Sequence, residues 1–157
     1  MDFKYIEKAD QLVGFLKEET ECDCCKQIKI CFDGEGFRGT DELKAVCPDC
    51  LKNGKLMELD VSACNGDVVE LKKQIIQLKP ESSAEAVDRL VNIKTNELEK
   101  TSPRLVTWQD WDWPAADGDY CRFIGFGSKP FYTDLAKGNN VEEFFKNSFY
   151  DPESYYD

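Results

Sequence analysis

The chain has 157 residues, of which 41% are hydrophobic, 12% aromatic and 32% charged, with a net charge of −11. That is enough apolar material for a packed core without covalent staples, and the negative charge excludes the phosphate-backbone and anionic-membrane partners that basic proteins take. Histidine is absent, which removes imidazole acid–base chemistry, Ser-His-Asp and Cys-His nucleophile systems, and the nitrogen ligands of catalytic zinc.

Met1-Asp2-Phe3-Lys4-Tyr5 has neither the basic nor the apolar region of a secretory signal. No apolar run reaches the roughly 20 residues that span a bilayer. A cytoplasmic protein is expected, and in that reducing setting eight cysteines point to metal rather than disulfides. The expected organisation is one domain over 1–157, with a zinc-binding module at 20–56, an α+β remainder at 57–150 and a loose acidic tail at 151–157.

In chain order, Phe3 to Ile6 reads as a short strand. Ala9 to Glu19 is ambiguous, with Leu12, Val13, Phe15 and Leu16 able to share one face of a short helix. Ile28-Lys29-Ile30-Cys31-Phe32 alternates as a half-buried strand does, and Asp33-Gly34-Glu35-Gly36 reads as a turn. Val68, Leu71, Ile75 and Leu78 lie at helical spacing, with Asp67 as N-cap and Pro80 as terminator. Ser82-Ser83-Ala84-Glu85 has the form of a capping box. The helix after it runs to about Lys100, burying Val87, Leu90, Val91 and Leu98, and Ser102-Pro103 ends it. Leu105 to Trp108 and Cys121 to Phe126 read as strands, and Asn140 to Tyr150 as a last short helix.

The strongest chemical signal is Cys22-x-x-Cys25, a gap of 21 residues, then Cys47-x-x-Cys50. Each C-x-x-C pair lets two sulfurs approach one ion at about 2.3 Å and grip one edge of a tetrahedron. A knuckle, a hairpin and a second pair opening a short helix describe a zinc-ribbon or treble-clef-like module. The expectation is one structural Zn2+ held by Cys22, Cys25, Cys47 and Cys50, in an α+β fold whose later part holds helices and a small antiparallel sheet. A thioredoxin-like redox pair and a [2Fe–2S] cluster use the same residue types and stay open on spacing alone. Cys24 is an alternative to Cys25, while Cys31, Cys64 and Cys121 show no pairing pattern and read as small buried hydrophobes.

Trp108-Gln109-Asp110-Trp111-Asp112-Trp113-Pro114 is the densest aromatic stretch. Core packing with a solvated acidic face explains it. A partner-binding surface is the alternative, with Trp108, Trp111 and Trp113 as anchors and Asp110 and Asp112 facing a cationic protein.

Cys22-Asp23-Cys24-Cys25, Cys47-Pro48-x-Cys50 trailed by Gly54, Trp108-Gln109, and Gly118-Asp119-x-Cys121-x-Phe123-Ile124-Gly125 occur in that order. In this the chain resembles the CbrC-like family of bacterial proteins, from about Phe3 to Gly127. The resemblance implies a bacterial source and a toxin-related context, and no reaction. The chain departs from it at Lys26, where relatives usually have glycine, and at Ala116-Asp117, where they commonly carry a His-Cys pair.

Acidic charge, the aromatic-acidic segment and that resemblance lead to an expected immunity-type protein. It would bind and neutralise a basic bacterial toxin, with no catalytic residues, nucleic acid or membrane involved. A zinc-ribbon adaptor in a cytosolic complex is the alternative. A less favoured one is an enzyme using Asp or Cys residues around 117–121.

Overall fold

Phe15 to Glu21 forms strand β1, not the end of a helix. In the computed structural model, which describes residues 1–107, 112–127 and Asp134, only Ala9–Gln11 of the ambiguous segment is helical, as a single 3-10 turn. The helical face drawn through Leu12, Val13, Phe15 and Leu16 does not form, and Val13 is 84% exposed. Pairing outweighs local propensity here. β1 lies antiparallel to β2 (Ile28–Asp33) with Phe15 opposite Phe32 and Glu21 opposite Ile28, and a bulge between Phe15 and Glu19. The Phe15 and Phe32 rings meet at 5.0 Å between centroids.

Asp33 to Gly36 turns as expected, with the Glu35 amide donating to Asp33 Oδ1 at 3.0 Å. Strand β3 (Arg38–Gly39) leaves this sheet, and β4 (Ala45–Val46) returns to it, completing the order β1-β2-β4. Helix α1 (Pro48–Lys52) follows at once, then a 3-10 turn at Lys55–Glu58 and strand β5 (Val61–Ser62). β5 pairs with β3, placing Gly39 opposite Val61. Gly39 has φ +149°, and a Cβ there would stand 1.7 Å from the Asp60 carbonyl oxygen, so this crossing needs glycine.

Helix α2 (Val68–Leu78) starts where the sequence places it, with the Glu70 amide donating to Asp67 Oδ1 at 2.9 Å. Its buried face is narrower than the spacing suggests. Leu71 and Ile75 are buried, while Val68 and Leu78 are 40% and 60% exposed. Helix α3 (Ala84–Thr101) is capped by Ser83, one residue later than expected, with the Ala86 amide donating to Ser83 Oγ at 3.2 Å. It buries Val87, Val91 and Leu98, with Leu90 half-buried.

The strand expected from Phe3 to Ile6 is reduced to a single bridge between Ile6 and Phe123, and this bridge is also all that forms of the strand expected from Cys121 to Phe126. Residues 104–107 adopt no regular structure. The late sheet is instead a hairpin of β6 (Ala115–Ala116) and β7 (Asp119–Tyr120). Asp117 and Gly118 form its turn at φ 53° and 73°, the doubly left-handed geometry that an Asp-Gly pair favours.

One apolar cluster joins these parts. It holds Tyr5, Ile6, Phe32, Leu51, Leu56, Leu71, Leu98, Trp113 and Tyr120, together with Cys22, Cys31, Cys47 and Cys50. The fold is α+β, with small antiparallel sheets and a cysteine module. Contacts divide the chain into Met1–Ile124 and Gly125–Asp157. All elements with assigned bounds lie in the first unit. The helix expected at 140–150 and the tail at 151–157 lie outside the described residues. No described helix is long and apolar enough to cross a membrane.

Candidate metal centre

β1 delivers Cys22 into the core, and the chain reverses over Cys22 to Lys26. The Lys26 amide donates to the Cys22 carbonyl at 2.8 Å, and the Cys22 amide to that of Gln27 at 2.9 Å. Lys26 closes this knuckle at φ 58°, a left-handed conformation that glycine adopts without penalty and lysine does not. Asp23 clamps the knuckle to β4. Its Oδ2 accepts from the amides of Lys44 at 2.7 Å and Ala45 at 3.0 Å, and its own amide donates to the Ala45 carbonyl at 2.9 Å.

β4 leads into Cys47, which caps α1, and Pro48 takes the first helical position, where a missing N–H costs nothing. One helical turn then brings Cys50 beside Cys47. The antiparallel pairing of β2 with β4 therefore holds the two C-x-x-C pairs against each other, with the second at a helix start as in a treble clef.

The four Sγ atoms of Cys22, Cys25, Cys47 and Cys50 all lie within 4.8 Å of one another. Cys25 Sγ and Cys47 Sγ are 3.9 Å apart. A tetrahedron with Zn–S bonds of about 2.3 Å needs sulfurs about 3.8 Å apart. The set therefore fits a metal ion such as zinc. Cys22, Cys47 and Cys50 are buried and Cys25 is half-buried. Among the described residues this is the one group of three or more Cys, Asp or Glu side chains so arranged.

Electrostatics inside the cluster are uneven. Burial disfavours the Cys22 thiolate, but the backbone amides of Cys47, Cys25 and Cys24 outweigh it and bring the thiol down to about 6. The Cys47 amide lies 3.2 Å from Cys22 Sγ. Burial pushes the Cys47 and Cys50 thiols up, and for Cys50 the neighbouring cysteine side chains add to that rise. Four thiols this close do not ionise together by themselves, whereas a bound cation inverts that preference.

Cys24 and Cys31 sit nearby but outside the four. Burial, then the charge of Cys22, pushes them up to about 11 and about 12. Cys64 is pushed up to about 12 by burial. Cys121 is also raised, by burial and then by Asp117, opposite to the depressed value of a nucleophilic thiol.

The tryptophan segment is only partly described. Trp108, Asp110 and Trp111 lie outside the described residues. Asp112 is exposed. Trp113 is not a surface anchor. It is 5% exposed, and its Nε1 donates to the Cys121 carbonyl at 2.7 Å. A bridge to Gly66 holds its backbone in the core.

Asp119, in the Gly118-Asp119-x-Cys121 motif, is tied into an ion-pair network. Lys94 Nζ lies 2.9 Å and Lys4 Nζ 3.3 Å from its Oδ2, and the Tyr5 hydroxyl lies 3.0 Å from its Oδ1. Burial disfavours its charge, but Lys94, the Tyr120 amide and Tyr5 together hold the carboxyl below the usual range. Lys4 also pairs with Glu97 at 2.6 Å. Sequence reasoning missed this clasp because Lys4 and Tyr5 stand more than 90 positions from the Glu97 and Asp119 carboxylates that they meet. The Asp23 clamp was missed for a different reason: a lone Asp inside a cysteine motif carries no spacing signal.

Residues 1–151 match the uncharacterised protein family UPF0167. The chain belongs to this family. No solved structure matches it.

Proposed function

We propose that this chain is a zinc-stabilised, acidic protein-binding module of the immunity type, which captures and neutralises a basic bacterial toxin. The observation that carries the reading is the cysteine set. With a metal bound, four converging thiolates would fill its tetrahedron and leave no open position for substrate or water. The metal then acts as a staple, and function falls to the surface. That surface belongs to a chain of net charge −11, which favours fast capture of a basic protein. The resemblance to CbrC-like proteins supplies the toxin context.

The test is titration against basic bacterial toxins, starting with any encoded beside this chain's gene. A sub-micromolar Kd is expected, with association slowing steeply as salt rises. No binding at low salt, or association indifferent to salt, overturns the proposal. An adaptor role shares the same staple and differs in its partner. It gains ground if the chain instead co-purifies in a stable cytosolic assembly.

A further inference from the structure

The three-stranded sheet has the order β1-β2-β4, so β1 is an edge, and among the described residues no other strand pairs with its outer side. The Cys22 amide, just past β1, donates to the Gln27 carbonyl at 2.9 Å. Backbone groups alternate in direction along a strand, so those of Glu21 and Glu19 point the other way, to the open side.

Residues opposite each other in an antiparallel pair project to the same face. Glu19 stands opposite Ile30 and Glu21 opposite Ile28. The same face carries Phe32, two residues further along β2. At that end the face is covered, because the Phe32 ring packs against Phe3 and Phe15. At the other end it is open: Ile28 is 69% exposed, Ile30 is half-buried, and Glu19 and Glu21 are exposed. An isoleucine pair thus lies beside two carboxylates and an unpaired backbone edge.

Charge decides what fits there. Nearby Asp23 and Asp49 are paired with Lys26 and Lys29. The carboxylates of Glu18, Glu19 and Glu21 have no ion-pair or hydrogen-bond partner among the described residues. Lys17, the one cation of β1, lies in the bulged stretch between Phe15 and Glu19. A second copy added edge to edge about Thr20 would set glutamate against glutamate, and like charges directly opposite repel. A strand with lysine or arginine at those positions would gain opposite-charge pairs and main-chain hydrogen bonds together, as extended segments do when they add to a sheet edge.

We propose that the Glu19–Glu21 edge of β1, with Ile28 and Ile30 beside it, is where this protein docks an extended basic segment of a protein partner. This rests on the reading that the chain captures a basic protein, and it names the surface that does so. The test uses the metal-loaded full chain and a synthetic peptide of alternating lysine and valine. Saturable binding by fluorescence anisotropy is expected, with slowed hydrogen exchange at the Glu19 and Glu21 amides. Glu19→Lys combined with Glu21→Lys should weaken binding by about tenfold and leave metal content unchanged. Glu58→Lys combined with Glu81→Lys, at exposed glutamates of other segments, makes the same change in net charge and should weaken it by less than about twofold at physiological salt. Should the β1 lysine pair lose its metal, Glu19→Gln with Glu21→Gln decides instead, and weaker binding than the parent is expected. Equal weakening by the two lysine pairs overturns the edge as the site and leaves the capture reading standing. No peptide binding overturns the proposal, and the capture reading falls with it only if basic toxins also fail to bind. Binding without slowed exchange at Glu19 and Glu21, or a parent that self-associates through this edge, overturns the proposal too.

Discussion

The segment from Cys22 to Cys50 and the helical segment from Asp67 to Ser102 are held by different forces. The first has three short strands, one five-residue helix and few buried aliphatic side chains; Cys22, Cys31, Cys47 and Cys50 occupy much of its interior. The second is two helices with side-chain caps at Asp67 and Ser83 and a stripe of buried Leu71, Ile75, Val87, Val91 and Leu98. One region offers four converging sulfurs to a metal ion in place of apolar area, and the other relies on area and caps. Because both feed a single core cluster, damage to either reaches the other.

The largest effect should come from breaking the first region at its ligands. Structural four-ligand zinc sites contribute about 10–16 kcal/mol of apparent binding energy, comparable to the whole stability of a domain. Cys47→Ser is expected to lower Tm by more than about 10 °C and to abolish stoichiometric metal binding, read by calorimetry and elemental analysis. The parent should carry about one metal per chain. A variant that melts like the parent would show that the cluster is not a staple.

The second region should fail differently. Leu98→Ala removes a fully buried side chain and is expected to cost about 2–5 kcal/mol, measured by denaturant titration, with metal content unchanged. Loss of metal in this variant would mean that the two regions are less separable than their forces suggest.

A smaller effect tests the knuckle. Lys26→Gly relieves a left-handed lysine at φ 58° and gives up only an exposed pair with Asp23 at 3.6 Å. A gain of about 0.5 kcal/mol is expected after the added flexibility of the unfolded chain is subtracted. It should appear as a higher midpoint of chelator-induced unfolding.

The smallest concerns α3. Burial raises the Glu99 carboxyl above its ordinary 4.5. For an acid so raised, the contribution to stability is full below the unfolded value and is lost as pH climbs through the folded one. The parent should therefore lose a little stability as pH rises from 4.5 upward. Glu99→Gln should remove that slope and gain less than about 1 kcal/mol at neutral pH, since the group remains half in water. Urea midpoints below and above that window decide it. A slope unchanged in the variant would assign it to another group.

How much was legible in advance follows the range of the forces involved. Asp67 and the Val68–Leu78 periodicity are local, and α2 begins where they place it. Ile28 to Phe32 alternates, and β2 forms there. Ser82 and Ser83 offer equivalent hydroxyls, so local chemistry did not distinguish them, and Ser83 is the one that caps α3. Phe15 to Glu21 carries helix-forming glutamates, and only the partner strand made it β1. Asp117-Gly118 is a hairpin signal present in the sequence and passed over, because the flanking Ala115-Ala116 and Asp119-Tyr120 are too short to read as strands.

The sequence by itself determined the pairing of Cys22 with Cys25 and of Cys47 with Cys50, the acidic charge and the start of α2 at Asp67, because each depends on residues a few positions apart. Tertiary structure alone decided that the two pairs converge within 4.8 Å, that Trp113 belongs to the core, and that Glu19 and Glu21 stand opposite Ile30 and Ile28. Those outcomes depend on which distant segments bury the same apolar surface, and no local spacing encodes that choice.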